Sequence, residues 1–190
     1  MRKAGAYGPD GVRGARHPAL ACSTGRRRCS SCHHLFEPCG PALRDLPTFR
    51  DAYRKRRCIV PVDGFFEWKA IKGQKAKQPY AIAMKDGAPF GIAGIWENWK
   101  DPTSGEWIRT FAIITTDANE LVADIHDRMP VILSRYDYAR WLSEETDPRD
   151  LMRPFPAEPM RMWPISTRVN KPENDDPSIL DPIQVTTDAA

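Results

Sequence analysis

The sequence predicts an α+β fold, made mainly of antiparallel strands with a few flanking helices. Short segments rich in β-branched and aromatic residues recur along the chain, and turn-forming sequences such as "KDGAP" and "DPTSGE" separate them. Only a few stretches repeat apolar residues every three or four positions, as helices do. The chain has 190 residues, of which 41% are hydrophobic, and six tryptophans, so it is large enough for one domain with a real core.

The first predicted element is a helix at 47–56. Pro47 suits the first turn of a helix, where a backbone amide would have no partner within the helix. The basic run at 54–57 favours a helix C-terminus, because cations are stabilised at that end of the helix dipole. The apolar residues that recur at helical spacing are Phe49, Ala52 and Tyr53.

Five strands are predicted after this helix. Asp63 and Gly64 form a turn between the first two strands, and the polar loop "GQKAKQ" precedes the third. The strands are, in order, "CIVPV", "FFEWK", "PYAIAM", "FGIAGIWENW" and "WIRTFAIITT".

The second half of the chain predicts two further helices. Asp117 and Glu120 are spaced as a capping box, and Pro130 ends the helix that they open. Its apolar residues are Leu121, Val122 and Ile125. After a strand at "VIL", Ser134 and Asp137 give a second capping pattern, which opens a helix with Tyr138, Trp141 and Leu142. A late strand at "MRMWPIS" and a loop-like tail rich in Pro and Asp complete the chain.

Composition limits where the protein acts. No apolar run approaches the ~18 to 20 residues that a membrane-spanning helix needs, and the N-terminus has no apolar segment of the kind found in signal peptides. We therefore expect a cytoplasmic protein without a membrane partner. The formal net charge of +3 neither requires nor excludes nucleic acid, so a DNA site would have to be a local patch.

The segment 1–42 differs from the remainder of the chain. It holds four of the five cysteines and half of the twelve glycines, and seven basic residues face two acidic ones. It has few large apolar residues and cannot form a core of its own. We expect an aberrant, unstructured segment at 1–42 and a folded domain at 43–190.

Segment 1–42 contains the motif "CSSCHHLFEPC". Cys29, Cys32 and His33 match the haem attachment pattern of c-type cytochromes, but that interpretation requires export. Zinc is the alternative, bound by Cys29, Cys32, Cys39 and either His33 or His34. Zinc knuckles usually carry an apolar residue beside each ligand pair, and few are available here. We expect no metal or cofactor.

"DGFFEWK" at 63–69 places one carboxylate, Glu67, among three aromatic residues. In a strand, side chains alternate, so Phe65 and Glu67 share one face while Phe66 and Trp68 share the other. One interpretation is an edge strand with Glu67 on its solvated side. The other is a carboxylate in a partly dry pocket, where its pKa rises and it can act as an acid or base near neutral pH.

"IHDRMPVIL" at 125–133 offers a partner for this carboxylate. His126 is placed near the end of a short helix, whose dipole favours the imidazolium form. A single histidine is more often structural than functional. Arg128 has two possible roles, binding a phosphate in bidentate fashion or pairing with an acid.

Taken together, these motifs resemble the SOS-response-associated peptidase (SRAP) family. The resemblance rests on "RCIVPVDGFFEWK", "FGIAGIWE", "FAIITTDANELVADIHDRMPVIL" and "STRVNKPENDDPSIL", in this order, and extends from about Leu46 to Leu180. It implies a mainly β, barrel-like core with flanking helices. It also implies covalent capture of abasic sites in single-stranded DNA, peptidase-like self-processing and a role in DNA damage; we expect a monomer.

The resemblance also implies roles for individual residues. Glu67 and His126 are expected to face one pocket that receives the ring-opened sugar aldehyde, as the catalytic acid and base. Thr115 or Thr116 is expected to donate to the sugar or phosphate, and Arg128 to bind a phosphate. The amine and thiol of an N-terminal cysteine would form an imine and then a thiazolidine.

The sequence departs from the family at its start. The family begins Met-Cys-Gly-Arg, whereas this chain begins Met1-Arg2-Lys3 and lacks the family's Asn-Ala-Arg motif before the helix at 47–56. We expect that segment 1–42 is translated in the wrong frame or replaces a lost start. Two functions remain open: the family activity, and a non-catalytic or degraded module that binds single-stranded DNA.

Overall fold

The computed structural model describes residue 43, residues 47–145 and residues 147–185. Predictions about segment 1–42, including its disorder and its cysteine motif, lie outside these residues. Over the described part of the chain the fold is mainly antiparallel sheet with few helices, so the predicted α+β class is confirmed.

The described residues form two α-helices and nine strands. The helices are α1 (Pro47–Lys55) and α2 (Tyr138–Leu142). The strands are β1 (Arg57–Val62), β2 (Gly64–Ala70), β3 (Lys77–Met84), β4 (Phe90–Lys100), β5 (Trp107–Ile113), β6 (Thr115–Asp117), β7 (Arg128–Pro130), β8 (Ile132–Leu133) and β9 (Met160–Pro164). Short 3₁₀ turns lie at Val122–Asp124, Arg135–Asp137, Arg149–Leu151, Thr167–Asn170 and Pro177–Leu180.

The strands pair in three antiparallel groups. One sheet has the order β1-β4-β5, with β8 also paired to β4, and a second has the order β2-β3-β9. Strands β6 and β7 form a two-stranded ladder. Within the described ranges no ladder joins these groups into a closed barrel, so the fold is antiparallel as predicted but its barrel-like closure is not observed.

Strand β4 is the centre of the core, because its first half is buried on both faces. Ala93 and Ile95 pack beneath α1 and α2 against Tyr53 and Trp141. On the other face, Phe90 and Ile92 contact residues of the second sheet. The rings of Phe65 and Phe90 meet edge to face with centroids 6.4 Å apart. This contact fixes β2, the strand that carries Glu67, against the core.

A buried arginine joins α1 to α2. Arg57 is 8% exposed, and its guanidinium donates to backbone carbonyls at both helices. The acceptors include Tyr53 at 2.7 Å, Trp141 at 2.6 Å and Glu145 at 2.7 Å, together with Ser143. The basic run at 54–57 therefore does more than end a helix, since its last residue holds two parts of the chain together.

The helix predicted from the spacing of Asp117 and Glu120 is wrong. Asp117 is the last residue of strand β6, and only Val122–Asp124 is helical, as a 3₁₀ turn. Pro130 lies in strand β7 rather than at a helix end. The β6–β7 ladder includes Asp117, the predicted cap, and the amide of Ala118 donates to the carbonyl of Asp127 at 3.0 Å, so tertiary pairing overrides the local pattern.

The other predicted elements agree more closely. Ser134 accepts a hydrogen bond from the amide of Tyr136 and caps a 3₁₀ turn that leads into α2. The predicted strand "WIRTFAIITT" is divided into β5 and β6 at Ile114.

Among the described residues, no helix is long and apolar enough to cross a membrane.

Candidate active site

Glu67 lies where the face of strand β2 passes from the core to a surface groove. Its cross-strand partner in β3 is Tyr80. Phe65, two residues earlier on the same face, packs in the core, whereas Lys69, two residues later, lines the groove. Phe66 and Trp68 point to the opposite face and pack with Ile165, Val169 and Ile179. The predicted alternation along "FFEWK" is therefore present in the structure.

The pKa of Glu67 is raised above its ordinary value, and burial is the main cause. The charge of His126, a backbone hydrogen bond from Trp68 and the charge of Lys77 act in the opposite direction. Asp127 adds a smaller upward contribution. Since burial prevails, the protonated carboxyl persists to higher pH than in an exposed glutamate, which suits a proton donor.

The groove beside Glu67 has a volume of about 550 Å³. Lys69 and Ala70 of β2 form one wall, and the segment 117–127 forms the other. His126 lines this groove. Glu67 is not one of its lining residues, and it lies two positions before Lys69 on the same face of β2. The two residues are close enough for the charge of His126 to act on Glu67.

His126 is held through its Nδ1 atom. The amide of Arg128 donates to Nδ1 at 3.0 Å, which requires a lone pair there and places the proton of the neutral ring on Nε2. In the imidazolium form, Nδ1–H instead has the carbonyl of Arg128 at 3.1 Å and Oδ1 of Asp127 at 3.3 Å as acceptors. These contacts at Nδ1 hold the imidazole ring in one orientation and leave Nε2 free of them.

Asn119 positions the segment that carries His126. It is 5% exposed, and its side-chain oxygen accepts from the amide of Val122 at 3.0 Å. Its side-chain nitrogen donates to the carbonyl of Phe155 at 2.7 Å. The amide of His126 then bonds to the carbonyl of Val122 at 2.9 Å. The side chain that bonds to the start of this turn is thus Asn119, not Asp117 as the sequence suggested.

Arg128 binds acceptors within the fold. Its guanidinium donates to the backbone and side-chain oxygens of Thr115, both at 2.9 Å, and to Asp117 at 3.3 Å. Its side chain is 17% exposed. Of the two roles that the sequence offered, pairing with an acid is the one that these contacts display. Phosphate binding by Arg128 stays a prediction.

The two threonines predicted to bind substrate lie in different environments. Thr115 is half-buried and accepts from Arg128. Thr116 is 7% exposed, and its hydroxyl is 3.4 Å from the carbonyl of Met152, in the interior. The structure thus places Thr115 beside Arg128 and turns Thr116 away from the surface. Donation by either hydroxyl to a substrate stays a prediction.

Sequence reasoning missed Lys69 and Asn119. A period of two places Lys69 on the same face as Glu67, so strand alternation alone contained that information. Asn119 lies three residues before Val122, a spacing typical of a cap, but the acidic pair at Asp117 and Glu120 concealed it.

In the described part of the chain, no three His, Cys, Asp or Glu side chains are grouped so as to hold a metal ion.

Comparison with known proteins decides the family. Residues 40–172 match the model of the family described as SOS response associated peptidase (SRAP). The chain belongs to the SRAP family. The abasic site processing protein YoqW of Bacillus subtilis (strain 168) is 41% identical to this SRAP chain over 143 residues, which cover 73% of this chain and 63% of that protein.

A less similar curated protein and a solved structure also resemble this SRAP chain. The abasic site processing protein HMCES of Gallus gallus is 36% identical over 151 residues, which cover 68% of this chain and 44% of that protein. A crystal structure of a protein from Bacteroides thetaiotaomicron superposes with a TM-score of 0.69 at 36% identity, covering 76% of this chain and 64% of that one. The SRAP chain therefore spans less than two thirds of the length of each of these proteins.

Proposed function

We propose that this SRAP-family chain processes abasic sites in single-stranded DNA, with Glu67 and His126 as the acid and base at the sugar aldehyde. Relatives that bear the name abasic site processing protein support the general role. The observation that carries the assignment to these two residues is the electrostatic environment of Glu67. Burial raises its pKa, and its strongest favourable charge partner is His126.

The chemistry needs such a pair. An amine adds to the aldehyde carbon of the ring-opened sugar, and one proton passes from the nitrogen to the former aldehyde oxygen, which gives a carbinolamine. The carbinolamine loses its hydroxyl as water, for which Glu67 in its protonated form supplies the proton. His126 accepts the remaining proton of the nitrogen, and an imine results. A thiol that adds to the imine carbon, while its proton passes to the nitrogen, completes a thiazolidine.

The nucleophile is a separate part of the proposal. In the family, as the resemblance implies, it is an N-terminal cysteine, whereas the second residue of this sequence is Arg2. The roles that we propose for the described residues are proton transfer and binding. A module that binds single-stranded DNA without catalysis is the alternative function.

The proposal extends to the setting of the reaction. Arg128 binds a phosphate of the DNA strand, and Thr115, which lies beside it and is less buried than Thr116, donates to the sugar or phosphate. The protein acts as a monomer, in the cytoplasm, in the response to DNA damage. Peptidase-like self-processing belongs to the same proposal.

The experiment is a comparison of two labelled single-stranded oligonucleotides of one sequence, one intact and one with a single abasic site. Fluorescence anisotropy is expected to show tighter binding to the abasic strand. Glu67→Gln and His126→Gln should reduce this preference, whereas Glu120→Gln, at an exposed position of the same segment, should not. Equal affinity of the unmodified protein for both strands would favour the non-catalytic alternative.

A further inference from the structure

The hairpin of β4 and β5 carries a mixed aromatic and basic face. In the antiparallel register Trp96 is opposite Phe111, Asn98 is opposite Arg109, and Lys100 is opposite Trp107. Paired residues of an antiparallel ladder point to the same side of the sheet. These six side chains therefore form one surface, called here the hairpin face.

The hairpin face exposes two large aromatic side chains to solvent. Trp107 is 70% exposed and Phe111 is 44% exposed, and both lie on β5. Strand β5 is at the edge of its sheet among the described strands. Exposed aromatic residues grouped on one face mark a binding surface more often than isolated ones do.

Arg109 lies between Trp107 and Phe111 along β5 and packs on a third ring, that of Trp96. Its guanidinium carbon lies 4.5 Å from the centroid of the Trp96 ring, and its Nε donates to the side chain of Asn98 at 3.2 Å. The guanidinium is therefore held by a neighbouring ring and an amide. It offers a planar cation at a defined position rather than a freely moving charge.

The hairpin face is positively charged. Its six positions hold Arg109 and Lys100 and no carboxylate. Glu97 points to the opposite face of β4 and pairs with Arg56. At the hairpin turn, Asp101 accepts hydrogen bonds from Thr103 and Ser104. The ligand that fits two cations and stacked rings is an anionic chain with flat, apolar groups.

We propose that the hairpin face binds single-stranded nucleic acid, with bases stacked on Trp107, Arg109 and Phe111. Alternate residues of a strand are about 7 Å apart, so three successive stacking positions lie along β5. Aromatic rings combined with arginine are the common means of binding single strands without sequence preference. The choice of DNA as the ligand of the hairpin face rests on the proposed function. The hairpin face itself is a surface separate from the groove beside Glu67.

The test uses the full chain and an intact, labelled oligothymidylate, with affinity measured by fluorescence anisotropy at several salt concentrations. Trp107→Ala and Phe111→Ala are each expected to weaken binding roughly fivefold or more, since a stacked base contributes at least about that factor. Arg109→Gln should lower the slope of log affinity against log salt by about 0.7, the value for one contact to a single strand.

The matched control is Tyr136→Ala. Tyr136 is 81% exposed and lies against Arg135, but it is on a 3₁₀ turn outside the hairpin. Its removal should leave affinity unchanged. Because all four positions are exposed, the variants should melt at the temperature of the unmodified protein.

Three results would overturn the proposal. One is no binding of the intact strand by the unmodified protein, and another is unchanged affinity in all three hairpin variants. The third is a dimer in sedimentation experiments that Trp107→Ala dissociates without change in DNA affinity, which would assign the face to a second copy. If the unmodified protein binds abasic and intact strands equally, while the hairpin variants still weaken binding, only the proposed function is contradicted.

Discussion

Glu67 of β2 and His126, which precedes β7, are coupled by charge although they belong to different strand groups. The charge of His126 lowers the pKa of Glu67, while burial raises it by more. The position of Glu67 between core and groove causes both effects. A carboxyl group deeper in the core would be out of reach of solvent and substrate, and one farther along the strand would be an ordinary surface glutamate.

The raised pKa predicts how stability depends on pH. The folded protein keeps the Glu67 proton to a higher pH than the unfolded chain does. The free energy of unfolding should therefore fall as pH rises from the ordinary glutamate pKa, about 4.3, to the raised value. Glu67→Gln removes this penalty, so it should melt above the unmodified protein at pH 7, and the gap should close in acid. A melting temperature of Glu67→Gln below that of the unmodified protein at pH 7 would contradict this.

Arg57 should be essential for stability. Hydrogen bonds to charged groups contribute about 1.5 to 3 kcal/mol each, and lysine cannot reproduce the planar fork of arginine. Arg57→Lys is expected to lower the free energy of unfolding in urea by about 2 kcal/mol or more. Arg54→Lys, at an exposed position of α1, is the control and should change little. Equal stabilities would show that the four carbonyls that accept from Arg57, those of Tyr53, Trp141, Ser143 and Glu145, find other donors.

Asn119 should affect both stability and the groove. Asn119→Ala leaves the amide of Val122 and the carbonyl of Phe155 without their partner, at an expected cost of about 1 to 3 kcal/mol. Because the same turn carries His126, preference for abasic DNA should fall as well. Ser166→Ala removes the cap of a 3₁₀ turn away from the groove and should leave that preference intact. If both variants behave alike in binding, Asn119 has only a structural role.

Arg128 has an observed role in the fold and a predicted role in phosphate binding, and substitutions can separate the two. Its bonds to Thr115 and Asp117 predict that Arg128→Ala lowers stability in urea. If it also binds a phosphate, DNA affinity falls and the salt slope decreases by about 0.7. Asp117→Asn removes the ion pair but keeps the arginine, so it should retain DNA binding. A loss of stability with an unchanged salt slope would limit Arg128 to the fold.

Patterns within one strand predicted the structure around Glu67 well. The alternation in "FFEWK" is local, and it correctly divides the aromatic residues between two faces. Of the two interpretations of Glu67, each holds in part: β2 is at the edge of its sheet, and the carboxyl group is nevertheless buried enough for its pKa to rise. Local sequence could not decide, because His126, whose charge acts on Glu67, is 59 positions away in the chain.

Long-range contacts caused the errors. Asp117 and Glu120 have helical spacing, but Asp117 bonds to Arg128, which lies in the paired strand β7. The burial of Arg57 depends on carbonyls near α2, more than eighty residues away. The run at 54–57 therefore looked uniformly basic, although it contains one structural residue. Neither contact leaves a pattern within a short window of sequence.

The most direct test of the central claim supplies the nucleophile separately. The peptide Cys-Gly-Arg carries an N-terminal amine and thiol and forms a thiazolidine with an abasic oligonucleotide, a product that a denaturing gel resolves. The unmodified protein should accelerate this reaction. Glu67→Gln and His126→Gln should each reduce the acceleration at least tenfold, since acid and base catalysis typically contributes about 10² to 10⁴, and Glu120→Gln should not. No acceleration by the unmodified protein, or equal rates with Glu67→Gln, would contradict the account.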